Sequence, residues 1–130
     1  MKFIACLTWL IVSVMAGLAS ADDWPQLRGP NSAGVSKSSA NLPTQFTGSE
    51  NVKWSADLGD GIGSPVVANG KLFVASMIDQ DHVGLHAFDA VSGEQLWSQQ
   101  WHTPNLIPVH KTNSQCATTP AADEEQARAR

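Results

Sequence analysis

The densest group of potentially reactive side chains lies within residues 79–86. It contains two carboxylates and two imidazoles, Asp79, Asp81, His82 and His86. Both groups are common ligands of zinc and other divalent transition metals, so these residues could be drawn as a metal site. No second motif supplies the ligands that would close such a site, and the carboxylates fall in a polar stretch between apolar ones. The sequence therefore favours a solvated hairpin loop running into a strand, with no metal ligand assigned.

Cys116 is a second candidate for chemistry, because His110 lies six residues before it. A cysteine nucleophile needs a lowered thiol pKa and a base that a third group orients. The surrounding residues offer neither, so we expect a buried, unreactive thiol. Paired carboxylates, a nucleophile elbow and a P-loop are also missing from the sequence, and no catalytic residue is predicted.

A glycine-rich stretch, "GDGIGS" at residues 59–64, superficially resembles phosphate-binding loops. The dinucleotide fingerprint requires a preceding strand, a following helix and an acidic residue about 20 positions later. These features are missing, and we expect instead a flexible crossing between two units of a β protein.

Charge and the N-terminus limit the possible partners and location. The 130 residues carry a formal net charge of −4 and no basic cluster, which argues against a nucleic-acid partner. The largely apolar run from Phe3 to Leu18 ends at the small residues Ala19-Ser20-Ala21, a pattern typical of a signal peptide over residues 1–21. We expect cleavage before Asp22, no stable membrane span afterwards, and an exported protein in the periplasm or outside the cell. Cys6 would leave with this peptide, so no intrachain disulfide is expected.

The remaining chain alternates short apolar runs with turn signals. Residues 22–51 are rich in proline and small polar residues and predict an extended leader. Strands are expected at 51–58, 65–68, 72–76, 84–90 and 94–101, and a polar tail at 124–130. Asn69-Gly70 predicts a two-residue hairpin turn, because both positions must adopt positive φ.

The dipeptide Trp-Ser occurs at Trp54 and again at Trp97, about 43 residues later. This spacing is typical of repeated four-stranded units. Such a unit cannot cover both of its faces alone, so a large aromatic at a fixed position would fill the space against the neighbouring unit. The sequence predicts an all-β protein built from antiparallel four-stranded blades.

The run "AFDAVSGEQLW", residues 87–97, resembles the repeat of quinoprotein-type β-propellers, in which an Ala-x-Asp-Ala-x-Thr-Gly-x-x-x-Trp pattern closes each blade. Ser92 replaces the usual threonine and keeps its hydroxyl. The likeness extends over residues 22–123 and includes "SPVVANGKLFV" and "DWPQLRGPN". The second of these resembles the N-terminal segment of exported propellers of planctomycete-like bacteria. The residues assigned to the structural repeat are Ala87, Asp89, Ala90, Ser92, Gly93, Trp97, Trp54, Asn69 and Gly70.

This resemblance implies an incomplete propeller, with one full blade and partial neighbours over residues 52–123. A propeller closes about four to eight blades, so we expect the segment to be unstable as a lone monomer. The expected role is a non-catalytic structural or protein-interaction module of the cell envelope, whose partner is an envelope protein or the remaining blades. The alternative is the N-terminal part of a dehydrogenase dependent on pyrroloquinoline quinone, with its catalytic blades beyond residue 130. The quinone enters only through the resemblance, and no cofactor-binding residue can be named.

Overall fold

The computed structural model describes residues 23–38, 41–123 and 127–128. The predicted signal peptide, residues 1–21, lies outside these. The strands are β1 (Val66–Ala68), β2 (Lys71–Met77), β3 (His82–Asp89), β4 (Gln95–His102), β5 (Ala121–Ala122) and β6 (Ala127–Arg128), and a short 3-10 turn spans Pro30–Ser32. None of the helical segments in the described residues is long or apolar enough to cross a membrane.

Strands β1 to β4 form one antiparallel sheet in the order β1-β2-β3-β4. The predicted all-β, antiparallel four-stranded architecture is therefore confirmed, and four of the five predicted strands are present. The β1–β2 turn forms at Asn69 and Gly70, whose φ angles of 50° and 69° are both positive. Only a few residue types tolerate this backbone, which is why a local signal was enough to locate the hairpin.

Side chains alternate between the two faces of this sheet. We call one the Trp97 face, because Phe73, Ala87 and Trp97 share it through their register. The other, which carries Ser76, His86 and Phe88, is named the Trp54 face because the Trp54 ring stacks near Phe88. Buried side chains occur on both faces, so each needs a covering layer.

Segments from opposite ends of the chain provide these layers. On the Trp97 face, two buried clusters continue into the later part of the chain, where Cys116 joins Ala75, Met77 and Leu85. Ala122 packs against the other cluster, which contains Val66 and Phe73. The Trp54 face is met by the segment before the sheet, which includes Trp54 and Leu58. The sheet is thus flanked by chain on both sides.

The predicted strand at residues 51–58 is wrong. None of its residues is in a strand, and Trp54 and Leu58 contact the Trp54 face of the sheet. Its contacts run to side chains and turns: the Ser76 hydroxyl donates to the Leu58 carbonyl at 2.6 Å. An apolar pattern predicts burial, but a strand also needs a free backbone partner.

Two other segments have more backbone pairing than the sequence indicated. In the leader, Trp24 forms an isolated bridge to Val67, with N···O distances of 2.7 and 2.9 Å. The bridge attaches the leader to the outer side of β1. In the predicted polar tail, β6 pairs with β5. Backbone groups at a sheet edge accept any partner, so such pairing leaves little trace in residue type.

Candidate functional site

The Trp54 ring lies against the turn that joins β3 to β4, residues 90–94. Its Nε1 donates a hydrogen bond to the Ala90 carbonyl at 3.2 Å, and its ring is stacked on Phe88 with centroids 6.0 Å apart. Gly93 has φ +76°, and a Cβ there would lie 2.5 Å from the Trp54 ring. The turn accepts the indole because position 93 carries no side chain and tolerates positive φ.

Asp89 organises this turn. Its Oδ1 accepts the backbone N–H of Ser92 at 2.7 Å, the N–H of Val91 at 3.0 Å and the Ser92 hydroxyl at 2.9 Å. These bonds, led by that of the Ser92 backbone, hold the pKa of the Asp89 carboxyl below its usual range. The hydroxyl at position 92 therefore has a structural use that serine and threonine share.

The remaining repeat residues join this turn to the rest of the sheet. Ala90 N–H donates to the Gly70 carbonyl at 2.9 Å, so the Asn69-Gly70 turn and the β3–β4 turn lie side by side. Ala87 is fully buried opposite Trp97. All the residues of the predicted repeat thus lie around one end of the sheet.

The two tryptophans have different environments. Trp54 is half-buried with its indole nitrogen hydrogen-bonded, whereas Trp97 is 41% exposed on β4, the edge strand. Among the aromatic rings of the described residues, the Trp97 ring is paired with that of Phe73, with centroids 5.9 Å apart. The pair lies on opposite faces of the sheet, one docked and one accessible.

The opposite end of the sheet gathers two carboxylates and two histidines. His82 Nδ1 lies 2.8 Å from an Asp79 oxygen and 2.9 Å from an Asp81 oxygen. The other Asp81 oxygen lies 3.2 Å from Nε2 of His102. The Asp81 N–H and the His82 ring, in that order, lower the pKa of Asp79 to about 2, and the hydrogen bond to Asp79 raises the pKa of His82.

This cluster differs from the group that the sequence singled out. His102 was missed, and His86 lies apart from the others. Phe88 pairs with Gln95 but Ala87 pairs with Trp97, so β4 has one extra residue at a bulge. With uninterrupted pairing from Phe88, residue 101 would oppose His82. The bulge places His102 opposite His82, and no residue type in this region predicts a bulge.

His86 instead belongs to a partly buried chain of hydrogen bonds on the Trp54 face. The Ser76 hydroxyl donates its proton to the Leu58 carbonyl, so it accepts from Nε2–H of His86 at 3.0 Å. Nδ1 then accepts from the Ser98 hydroxyl at 3.1 Å. Burial lowers the pKa of His86, in keeping with a neutral ring. With its proton already committed to a carbonyl, Ser76 is held as a structural group and is not activated for attack.

The glycine-rich loop and Cys116 also have structural explanations. Met77 N–H donates to the Asp60 carbonyl at 2.7 Å, and Ile62 N–H donates to the Cys116 carbonyl at 3.2 Å. A Cβ at Gly59 or Gly63 would collide with a neighbouring backbone carbonyl. The loop is therefore hydrogen-bonded on both sides, in contrast to the flexible crossing expected from the sequence. Cys116 is buried, and burial raises the pKa of its thiol, which disfavours the reactive thiolate.

Searches of family models, of curated protein sequences and of solved structures give no match to this chain.

Replacing Gly93 by alanine should destabilise the protein more than the same change at Gly70. Both glycines have positive φ, but a Cβ at Gly70 meets nothing within 4 Å. Gly70→Ala should cost only the conformational strain, about 1–2 kcal/mol. Gly93→Ala adds the collision with the Trp54 ring, about 1–3 kcal/mol more. Urea unfolding of both variants at one protein concentration measures the difference, and equal midpoints would contradict the docking described above.

Low pH should reduce the free energy of unfolding, partly because Asp89 becomes protonated. Because its folded-state pKa is below the ordinary value of 3.8, the charged carboxylate stabilises the fold above that value. This contribution is lost as the pH falls through the lower, folded-state pKa. Asp89→Asn should therefore flatten the dependence of the unfolding midpoint on pH below about 4. Glu50→Gln, at an exposed carboxyl, serves as the control. Unchanged acid sensitivity in Asp89→Asn would disprove this role.

Proposed function

We propose that this chain is part of an exported β-propeller with repeats like those of quinoproteins, and that it acts as a non-catalytic structural or protein-interaction module of the cell envelope. The observation that carries this proposal is the docking of Trp54 on the β3–β4 turn. A tryptophan from before the sheet is fixed by the Gly93 turn, and the strand after that turn carries the second tryptophan, Trp97. This is the arrangement expected if each repeat anchors itself on the next.

The placement of the two tryptophans indicates the face on which a further four-stranded unit would stack. Trp54 approaches the sheet on one face, and Trp97 projects from the other. A following unit would therefore meet the part of the Trp97 face that is exposed along β4 and offer a similar turn to the Trp97 indole. The proposed partner is a further blade of this kind, either from the same protein or from an envelope protein. The leader pattern at residues 1–21 supports export.

Strand β4 has the features of a surface that another unit covers. All eight of its residues are exposed, whereas β2 buries four residues and β3 buries five. Leu96, Trp97 and Trp101 are large apolar side chains with 41–45% of their surface exposed. Tryptophan is enriched at protein interfaces, and an uncovered apolar edge strand promotes association. These properties favour docking over catalysis as the task of this surface.

Self-association of the chain tests the proposal, because a second copy carries the same exposed edge strand β4. We expect the protein to associate reversibly with rising concentration, and Trp97→Ala to weaken association at least tenfold, as loss of an interface tryptophan implies. Phe46→Ala, which removes another exposed aromatic ring, should leave association unchanged. Sedimentation velocity measures all three proteins.

A strictly monomeric protein with a sharp, reversible thermal transition would overturn the proposal and indicate a self-contained small β domain. An equal effect of the two substitutions would also count against it, because the association would then not depend on the Trp97 face.

A further inference from the structure

We propose that Asp81, His82 and His102 form a binding site for a divalent transition-metal ion of the zinc type. The site lies at the end of the sheet away from the Trp54 turn and is independent of the proposed docking function. One ligand atom from each of the three residues can be chosen so that all lie within 4.8 Å of one another.

The β3–β4 ladder sets the geometry of this site. His82 and His102 face each other across the ladder, and their ring centroids are 5.0 Å apart. Asp81, directly before β3, reaches Nδ1 of His82 with one oxygen at 2.9 Å and Nε2 of His102 with the other at 3.2 Å. A single carboxylate thus already bridges two imidazoles from neighbouring strands.

The spacing of these atoms suits a small tetrahedral ion. With metal–ligand distances of about 2.0–2.2 Å, two ligands of a tetrahedral zinc ion lie about 3.3–3.5 Å apart. The nitrogen–oxygen separations in the cluster are a few tenths of an ångström shorter, as expected when a proton occupies the place of a metal. Small side-chain rotations would admit the ion. Three protein ligands leave one tetrahedral position, for which water or the nearby Asp79 carboxylate is available.

Backbone hydrogen bonds hold the loop that supplies Asp81. Thr103 N–H donates to the Asp81 carbonyl at 2.7 Å, and Ile78 N–H donates to the His82 carbonyl at 2.8 Å. The Asp81 N–H in turn donates to the Asp79 carboxylate at 3.0 Å. Ligands held on strand ends and on a bonded loop lose little freedom when an ion binds.

The donor set selects the class of ion. Two imidazole nitrogens with carboxylate oxygen suit zinc, copper, nickel or cobalt, whereas calcium and magnesium prefer all-oxygen sites. The carboxylates also make the cluster negative when the histidines are neutral, the form in which they bind metals. An ion here would join the β2–β3 loop to the last residue of the edge strand β4 and so fasten this end of the sheet.

Titration of the full chain with Zn²⁺ by calorimetry tests the proposal, with Co²⁺ absorption as a second measurement. We expect one saturable ion per chain and a visible Co²⁺ band typical of tetrahedral coordination. His102→Asn and Asp81→Asn should each weaken binding at least tenfold and remove that band. His110→Asn, at an exposed histidine outside the cluster, should change affinity less than twofold.

Circular dichroism of each variant separates loss of a ligand from loss of the fold. Should a variant fail to fold, the wild-type stoichiometry and Co²⁺ spectrum still decide the matter. Absence of saturable binding by the wild-type protein would overturn the proposal, as would an octahedral Co²⁺ spectrum. An effect of His110→Asn equal to that of His102→Asn would do the same.

Discussion

The packing of one indole ring against Gly93, the one position without a side chain in the β3–β4 turn, is the constraint from which the rest of this structure follows. Residues 51–58 have no strand ladder, yet they are held on the sheet by the Trp54 hydrogen bond to the Ala90 carbonyl. That bond requires the ring to lie where any side chain at position 93 would be. The turn must therefore combine positive φ at Gly93 with the fixed shape that Asp89 and Ser92 impose. The motif at residues 87–97 thus forms a turn against which an aromatic ring packs.

The sheet has two ends with different chemistry. At one end, the β1–β2 and β3–β4 turns lie together and receive Trp54. At the other, the β2–β3 loop and the end of β4 gather the Asp81, His82 and His102 side chains. Between them, both faces are covered by chain from outside the sheet. The edge strand β4 is the exception, and this is why we propose an interaction role for Trp97.

Local signals predicted those parts of the fold that local chemistry determines. Asn69-Gly70 located its hairpin because few residue pairs tolerate that backbone, and the short runs between turn signals marked β2 and β3 as strands. The segment at 51–58 was misjudged because its apolar residues indicate burial without saying which surface buries them. Trp54 and Gly93 were both chosen from sequence, but their contact is tertiary and became visible only in the structure.

The Asp-His cluster is a second case in which a tertiary contact could not be predicted from local sequence. Asp81 and His82 are adjacent in sequence and were noticed, whereas His102 joins them only through the register of a bulged hairpin. One extra residue in β4 places His102 opposite His82 in the position that Trp101 would otherwise take, and no residue type in this region predicts a bulge. His86 was grouped with the wrong partners, because a spacing of four does not reveal that a serine on each neighbouring strand satisfies its ring.

A double-mutant cycle on Trp54→Ala and Gly93→Ala measures the central contact most directly. If the ring occupies the space above Gly93, removing it first should reduce the cost of the Gly93 substitution to the strain of positive φ alone. Urea unfolding of the four proteins at one concentration should then give a coupling free energy of about 1–3 kcal/mol. Additive effects within about 0.5 kcal/mol would mean that the two residues do not touch, and the account of this fold would be wrong.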